Sequence, residues 1–252
     1  MVTTPNPRVL YIHDDLSEEL RAHGKPSAAC QLGEALFALL RRQPERVVVL
    51  TLAEQLDALI ARGDHTPFAV TVGIGRAGAR VAAQLHARTG WFPSIHRVDV
   101  WREEDDRGGY TLAGPASLES QLAGLPDGVS LAVVDDTIFS GLTMRSVLAA
   151  LPSPRRAGAH AFCLRAVAES LLQAARVAPV TAGFAAPGRI LEDVSFINAS
   201  GLVRRGAIRR AGGSGLAFFE RPEWIEAWFP GCHDQVIALC AELHRRLAVG
   251  QP

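Results

Sequence analysis

The chain has 252 residues, of which 48% are hydrophobic and 21% are charged, so it can bury a full hydrophobic core. Basic and acidic residues number 26 each, which leaves no broad positive field for nucleic acid or an anionic membrane surface. No apolar run is long enough to cross a bilayer, and the first residues lack the basic-then-apolar order of an export signal. We therefore predict a cytoplasmic protein that binds neither nucleic acid nor membrane, and whose four scattered cysteines are reduced.

The first third of the chain alternates between helical and strand-like patterns. Apolar residues recur at helical spacing from Ala28 to Leu40 and from Leu52 to Ala61, on either side of the short apolar run Val47 to Leu50. The run Phe68 to Val72 is typical of a buried strand, and helical spacing returns from Ala77 to Arg88. This order predicts helix, strand, helix, strand and helix.

The middle of the chain continues the alternation. Ser94 to Val100 predicts a strand, and the polar, glycine-bearing stretch Arg102 to Gly114 predicts a long exposed loop. Leu131 to Val134 and Ala159 to Leu164 predict two further strands, with a helix from Met144 to Leu151 between them. Strands that alternate with helices favour an α/β fold with a parallel sheet and helical crossovers.

Beyond Pro179 the pattern is irregular until a final helix near Gln235 to Leu247. From this organisation we predict one domain, residues 1–252. Its core would span about 45–182, with an amino-terminal extension at 1–44 and a small carboxyl-terminal hood at about 183–252.

The segment 131–143 carries the functional inference. Asp135 and Asp136 follow a buried strand, and the carboxyl ends of parallel strands face the ligand crevice. The backbone N–H groups from Ser140 to Thr143, at the start of a helix, form a cradle for a phosphate. Neighbouring carboxylates suit a sugar diol and can hold hydrated magnesium. Together these groups describe a site for a ribose 5-phosphate, although an ordinary buried strand ending in a helix cap would leave the same pattern.

This segment resembles the motif that binds 5-phosphoribosyl-1-pyrophosphate (PRPP) in type I phosphoribosyltransferases. The resemblance implies a parallel sheet flanked by helices, with a helical lead-in and a hood. It implies that Asp135 and Asp136 bind the ribose hydroxyls, and that Thr137 and the turn from Ser140 hold the 5-phosphate. The residues assigned in this way to PRPP are Asp135, Asp136, Thr137, Ile138, Phe139, Ser140, Gly141, Leu142 and Thr143.

A second glycine-rich turn precedes this segment. Gly73, Gly75 and Gly78 follow a strand and open a helix, and Asp99 ends the next strand, which taken alone is a dinucleotide-binding pattern. An NAD(P)-binding oxidoreductase is therefore an alternative, but it leaves Asp135 and its neighbour unexplained. In the phosphoribosyltransferase interpretation, the turn resembles the pyrophosphate loop, which comprises Gly75, Arg76, Ala77 and Gly78. Members of that family often have a cis peptide here, which the Gly75–Arg76 step would suit.

The resemblance also implies the chemistry. Family members displace pyrophosphate from ribose C1, which would make Asp135, Asp136 and Arg76 catalytic, with Mg²⁺ held by the two acids through water. The 102–114 loop lies where such enzymes carry a closing lid, so Arg102, Arg107 and Tyr110 are candidates for contacting pyrophosphate. A solvated loop without a role is the alternative.

The acceptor is less well specified. Phe139 stands where purine-salvage members carry a third carboxylate as general base, so the acceptor is orotate-like, is activated elsewhere or is not a nucleobase. Phe184, Phe196 and Asn198 are candidate walls of its pocket, although aromatic residues also serve as core.

Because many members are dimers, we predict a homodimer, in which Lys25 could reach a neighbouring site. A non-catalytic PRPP sensor with the same motif is a further alternative.

Overall fold

A computed structural model describes residues 9–22, 28–104, 109–187, 196–208 and 215–249. Lys25 and Arg107, two residues named above, lie outside these ranges. The four cysteines are all within them and are free thiols. None of the described helices combines the length and the apolar character that a membrane span requires.

The regular elements are numbered in chain order. The strands are β1 (Leu10–His13), β2 (Val47–Leu50), β3 (Val70–Ile74), β4 (Ile95–Val98), β5 (Trp101–Glu104), β6 (Tyr110–Ala113), β7 (Leu131–Ile138), β8 (Ala159–Val167), β9 (Val180–Ala186) and β10 (Phe196–Asn198). The helices are α1 (Leu16–Ala22), α2 (Ala28–Leu40), α3 (Leu52–Ile60), α4 (Gly75–Thr89), α5 (Leu118–Leu122), α6 (Leu142–Ala150), α7 (Ser153–Ala157), α8 (Ala168–Ala174), α9 (Ala199–Val203), α10 (Pro222–Trp228) and α11 (His233–Val249), with a 3₁₀ turn at Phe218–Glu220.

The chain divides into two compact units, one of Ala53–Gly188 and one that joins Met1–Leu52 to Arg189–Pro252. The first unit contains a parallel sheet with the strand order β4-β3-β7-β8-β9, which confirms the predicted α/β class. Its central strand β7 is buried from Leu131 to Asp135 because helices cover the sheet, and a parallel strand buried in this way has a continuous apolar sequence.

The strand order of this sheet contains a switch point. The chain leaves β3 through α4 for β4 on one side, and later forms β7 on the other side of β3. Gly73 pairs with Val134 across β3 and β7, so the ends of these two strands lie next to each other. In open α/β sheets, ligands bind in the crevice outside the carboxyl ends of the strands at such a point. Both predicted phosphate-binding turns follow these two strands.

The second unit has its own three-stranded parallel sheet, in the order β10-β1-β2, and its own apolar core. The amino-terminal extension and the carboxyl-terminal hood, which the sequence predicts as separate segments, therefore form one unit together. Strand β1 was not predicted. The single domain expected from the sequence stays a prediction.

Two local predictions were wrong. The stretch 102–114, expected to be a loop, contributes to an antiparallel hairpin of β5 and β6, in which Arg102 pairs with Leu112. The chain beyond Pro179 was expected to be irregular, yet β9 extends the sheet there, and its Thr181 pairs with Phe162 of β8. Position 183 in β9 requires glycine. A Cβ there would lie 2.8 Å from the Leu164 carbonyl oxygen and 3.0 Å from the Gln55 carbonyl oxygen.

Candidate functional site

The acid pair lies in the second half of β7, which continues past it to Ile138 where the sequence predicted a turn. The first acid, Asp135, is only 8% exposed, and its Oδ1 accepts a hydrogen bond from the backbone N–H of Asp136 at 2.8 Å. Burial, together with the neighbouring Asp136 charge, raises the pKa of Asp135 well above its usual range. The first acid of the pair is therefore a carboxyl group that is costly to ionise without a ligand.

The second acid has a partner that the sequence analysis missed. Oδ2 of Asp136 accepts hydrogen bonds from Nη2 of Arg165 at 2.9 Å and from the Thr137 hydroxyl at 3.1 Å. Arg165 is on β8 and is 1% exposed, and its Nη1 donates to Oε1 of the fully buried Gln55 at 2.7 Å. One signal could have revealed this contact: Arg165 stands between apolar residues in β8, and a buried guanidinium needs an anionic partner.

The phosphate cradle follows the acids directly. After Phe139 the backbone turns at Gly141, whose φ of +72° is in the left-handed region that favours glycine. Helix α6 then begins at Leu142. Its N-cap residue is Gly141, which has no side chain to cap the helix. The Leu142 N–H donates to Oγ of Ser140 at 3.3 Å. The first turn of α6 thus points its N–H groups to the same end of the sheet as Asp136.

The glycine turn after β3 lies against the acid pair. Gly75 has φ of +59° and opens α4, again without a side-chain cap among the described residues. A Cβ at Gly78 would lie 2.3 Å from the Val134 carbonyl oxygen and 3.2 Å from Cα of Asp135, so only glycine permits this approach of α4 to β7. The glycine turn is therefore brought to the acid pair. Arg76 is exposed on the first turn of α4.

The peptide geometry of this turn differs from the expectation. The described residues contain no cis peptide bond, so the Gly75–Arg76 peptide is trans. The feature that produces the sharp strand-to-helix turn is the positive φ of Gly75.

The hairpin of β5 and β6 also reaches the site. The Arg102 guanidinium lies over the rings of Tyr110 and Phe139, with its carbon 5.6 Å from each ring centroid. Its positive charge acts to lower the pKa of Asp135, against the stronger effects of burial and Asp136. At the base of the hairpin, Gln121 accepts the Asp99 N–H at 2.7 Å and donates to the Asp99 carbonyl at 3.1 Å.

The candidate acceptor residues are divided between the units. Phe184 is half-buried on β9, in the unit that carries the acid pair. Phe196 and Asn198 are on β10 in the other unit, where Phe196 is fully buried and stacks on Tyr11 at 5.1 Å between ring centroids. An acceptor pocket that includes these residues stays a prediction.

The acid pair offers ligands for magnesium, but one of its two charges is already paired. It offers carboxylate oxygens, the ligand type that Mg²⁺ prefers, but Arg165 already balances the Asp136 charge. In the part of the chain that the structure describes, no three histidine, cysteine or acidic side chains group as metal ligands. A magnesium ion held by the two acids through water therefore stays a prediction.

The dinucleotide alternative has less support at Asp99. Its carboxylate, which would bind a ribose, pairs with Nη2 of Arg97 at 2.6 Å. The glycine turn itself would suit either a dinucleotide or a pyrophosphate, because both need close backbone approach at a helix start.

Comparison with known proteins gives only distant likenesses. No protein-family model matches the chain, and no curated protein matches it. Similar solved structures include a purine phosphoribosyltransferase from Pyrococcus horikoshii Ot3, at 16% identity and a TM-score of 0.38, covering 67% of this chain and 87% of that one. An orotate phosphoribosyltransferase from Aeropyrum pernix has 20% identity and a TM-score of 0.36, with coverages of 53% and 70%. A hypothetical protein from Neisseria gonorrhoeae with bound ppGpp has 17% identity and a TM-score of 0.43, with coverages of 59% and 85%. Likenesses at this distance assign neither a family nor a substrate.

Proposed function

We propose that the chain is a phosphoribosyltransferase, which binds PRPP and transfers its 5-phosphoribosyl group to a small acceptor with release of pyrophosphate. One observation supports this most. The glycine turn that opens α4 packs against Asp135, and α6 begins six residues after Asp136. A ligand with phosphates at two ends and a diol between them matches this arrangement.

The chain's own residues would divide the work. The first turn of α6, from Ser140 to Thr143, holds the 5-phosphate, and Asp135 and Asp136 accept hydrogen bonds from the ribose hydroxyls. The turn from Gly75 to Gly78, with the Arg76 guanidinium, binds the pyrophosphate and stabilises its growing negative charge as the bond to C1 breaks. The acceptor forms the new bond to C1, and pyrophosphate leaves with the electron pair of the bond that breaks.

Magnesium enters this proposal with PRPP. The Arg165 contact of Asp136 favours a water-mediated approach of the ion to the acids over direct coordination. When bound, the ion neutralises charge on the pyrophosphate. The homodimer and the cytoplasmic location expected from the sequence remain predictions.

A PRPP-binding regulator without turnover is the second candidate, because Phe139 leaves no third acid in the motif to act as a base. Pyrophosphate release from PRPP in the presence of a panel of acceptors separates the two candidates. The enzyme releases pyrophosphate with at least one acceptor, whereas a regulator binds PRPP with none turned over. Tight binding of NAD without any binding of PRPP would reject both candidates and support the dinucleotide alternative.

The variant for this test is Asp135→Asn. Asparagine keeps the shape and can still accept the Asp136 N–H, and the raised pKa of Asp135 indicates that a neutral group is tolerated there. Asparagine places an NH2 donor where the second oxygen of Asp135 would accept from a ribose hydroxyl, which should weaken PRPP binding by roughly 10-fold or more. A matched control is Asp57→Asn. Asp57 is on α3, its side chain is 70% exposed, and it pairs with Arg88 of α4.

A further inference from the structure

The contact between Arg102 and Phe139 gives the hairpin of β5 and β6 a specific attachment to the PRPP-binding segment. The Arg102 guanidinium lies over the Phe139 ring at 5.6 Å and over the Tyr110 ring at the same distance. Arg102 and Tyr110 are on the two strands of the hairpin, whereas Phe139 belongs to the turn between β7 and α6. The cation therefore joins the hairpin to the turn through two aromatic faces.

Ring contacts of this kind leave the hydrogen-bonding edge of an arginine in place for a ligand. A guanidinium stacks through its face, whereas its five N–H donors lie in its plane. A carboxylate at position 139 would instead form an ion pair with Arg102 and occupy those donors. Phenylalanine at this position thus holds the cation without consuming its capacity to bind an anion.

The position of Arg102 relative to the acids supports the same conclusion. Its charge is close enough to oppose the effects of burial and Asp136 on the pKa of Asp135. The base of the hairpin is fixed by the two hydrogen bonds between Gln121 and Asp99. The hairpin is thus fixed at its base by Gln121 and near the acid pair by Phe139.

We propose that Phe139 is a positioning residue, whose ring holds the Arg102 guanidinium at the acid pair so that its N–H donors bind the pyrophosphate group of PRPP. The inference rests on the proposed function and assigns a role to the residue that departs from the purine-salvage pattern. Tyr110 supplies the second face of the same clamp.

A double-variant cycle tests this coupling by calorimetric titration with PRPP and, separately, with inorganic pyrophosphate. Phe139→Leu keeps an apolar side chain without the ring and should lower the affinity for both ligands about fivefold. Phe139→Tyr keeps the ring and should bind as the wild type does. Arg102→Ala should weaken binding more strongly, and adding Phe139→Leu to it should cost nothing further, because Phe139 acts through Arg102. Arg41→Ala is the matched control, because Arg41 is an exposed arginine that lies over the Phe37 ring in the other unit.

Hydrogen exchange without ligand provides the readout that does not depend on PRPP. The amides of 101–104 and 110–113 should exchange faster in Phe139→Leu and in Arg102→Ala, but not in Phe139→Tyr. Additive losses in the cycle, or unchanged affinity for both ligands in Phe139→Leu, would overturn the inference. If the wild type binds pyrophosphate but not PRPP, the proposed function fails while the role of Phe139 is still decided by the cycle. If the wild type binds neither ligand, the assigned contact of Arg102 is wrong as well.

Discussion

Replacing Asp136 with asparagine should destabilise the unit Ala53–Gly188 as well as alter its ligand site. Arg165 is 1% exposed and donates to Asp136 at 2.9 Å, so the substitution removes the anionic partner of a buried cation. Breaking a buried pair on one side costs about 3–5 kcal/mol. We expect a loss of about 3 kcal/mol, at the lower end, because the Asp136 side chain is 20% exposed and an amide oxygen can still accept from Arg165. This is a large share of the roughly 5–15 kcal/mol that typically separates folded from unfolded proteins.

Urea unfolding followed by circular dichroism measures this loss. The control Asp57→Asn removes an exposed partner of Arg88 and should cost less than about 1 kcal/mol. The double variant Asp136→Asn with Arg165→Met should recover part of the loss, since no unpaired buried charge remains. If Asp136→Asn unfolds at the same urea concentration as the control, the pair with Arg165 does not hold this part of the sheet together. The same reasoning makes Asp135→Asn, and not Asp136→Asn, the cleaner variant for ligand binding.

Three further outcomes follow from the site. Gly78→Ala should cost about 1–3 kcal/mol in urea unfolding and weaken PRPP binding, because its Cβ would overlap the Val134 carbonyl; Gly124→Ala, in open space, should do neither. The pKa of Asp135 is raised in the folded state, so its contribution to stability is fully present below its usual pKa near 4 and is lost as the pH rises through the folded value. Asp135→Asn should therefore gain stability relative to the wild type with rising pH in that window, and parallel stability curves would contradict this. Arg76→Gln should weaken pyrophosphate binding in calorimetry without changing the unfolding midpoint, because Arg76 is exposed; an unchanged affinity would remove Arg76 from the site.

The parts of the fold that follow from local patterns were predictable. Helix α2 and strand β2 have the predicted bounds, since helical periodicity and a short apolar run are local signals. The buried strand before the acid pair was predictable because a continuous apolar run is typical of a strand covered on both faces, although the strand extends four residues beyond the predicted end.

The parts that depend on distant contacts were not predictable in the same way. Strand β1 is four residues long and exists through parallel pairing with β2 and with β10, near the opposite end of the chain. Arg165 and Gln55 are 110 positions apart, and the sequence around either residue does not indicate that the two are in contact. Strand β5 is mostly polar and two glycines precede β6, so this stretch suggests a loop until the two strands pair.

A calorimetric titration with PRPP and magnesium decides whether this sheet edge binds a sugar phosphate. We expect the wild type and Asp57→Asn to bind PRPP with equal strength, and Asp135→Asn to bind it roughly 10-fold more weakly or worse. Equal affinity of Asp135→Asn and the wild type, or no binding of PRPP at all, would contradict the assignment of this sheet edge to a sugar phosphate.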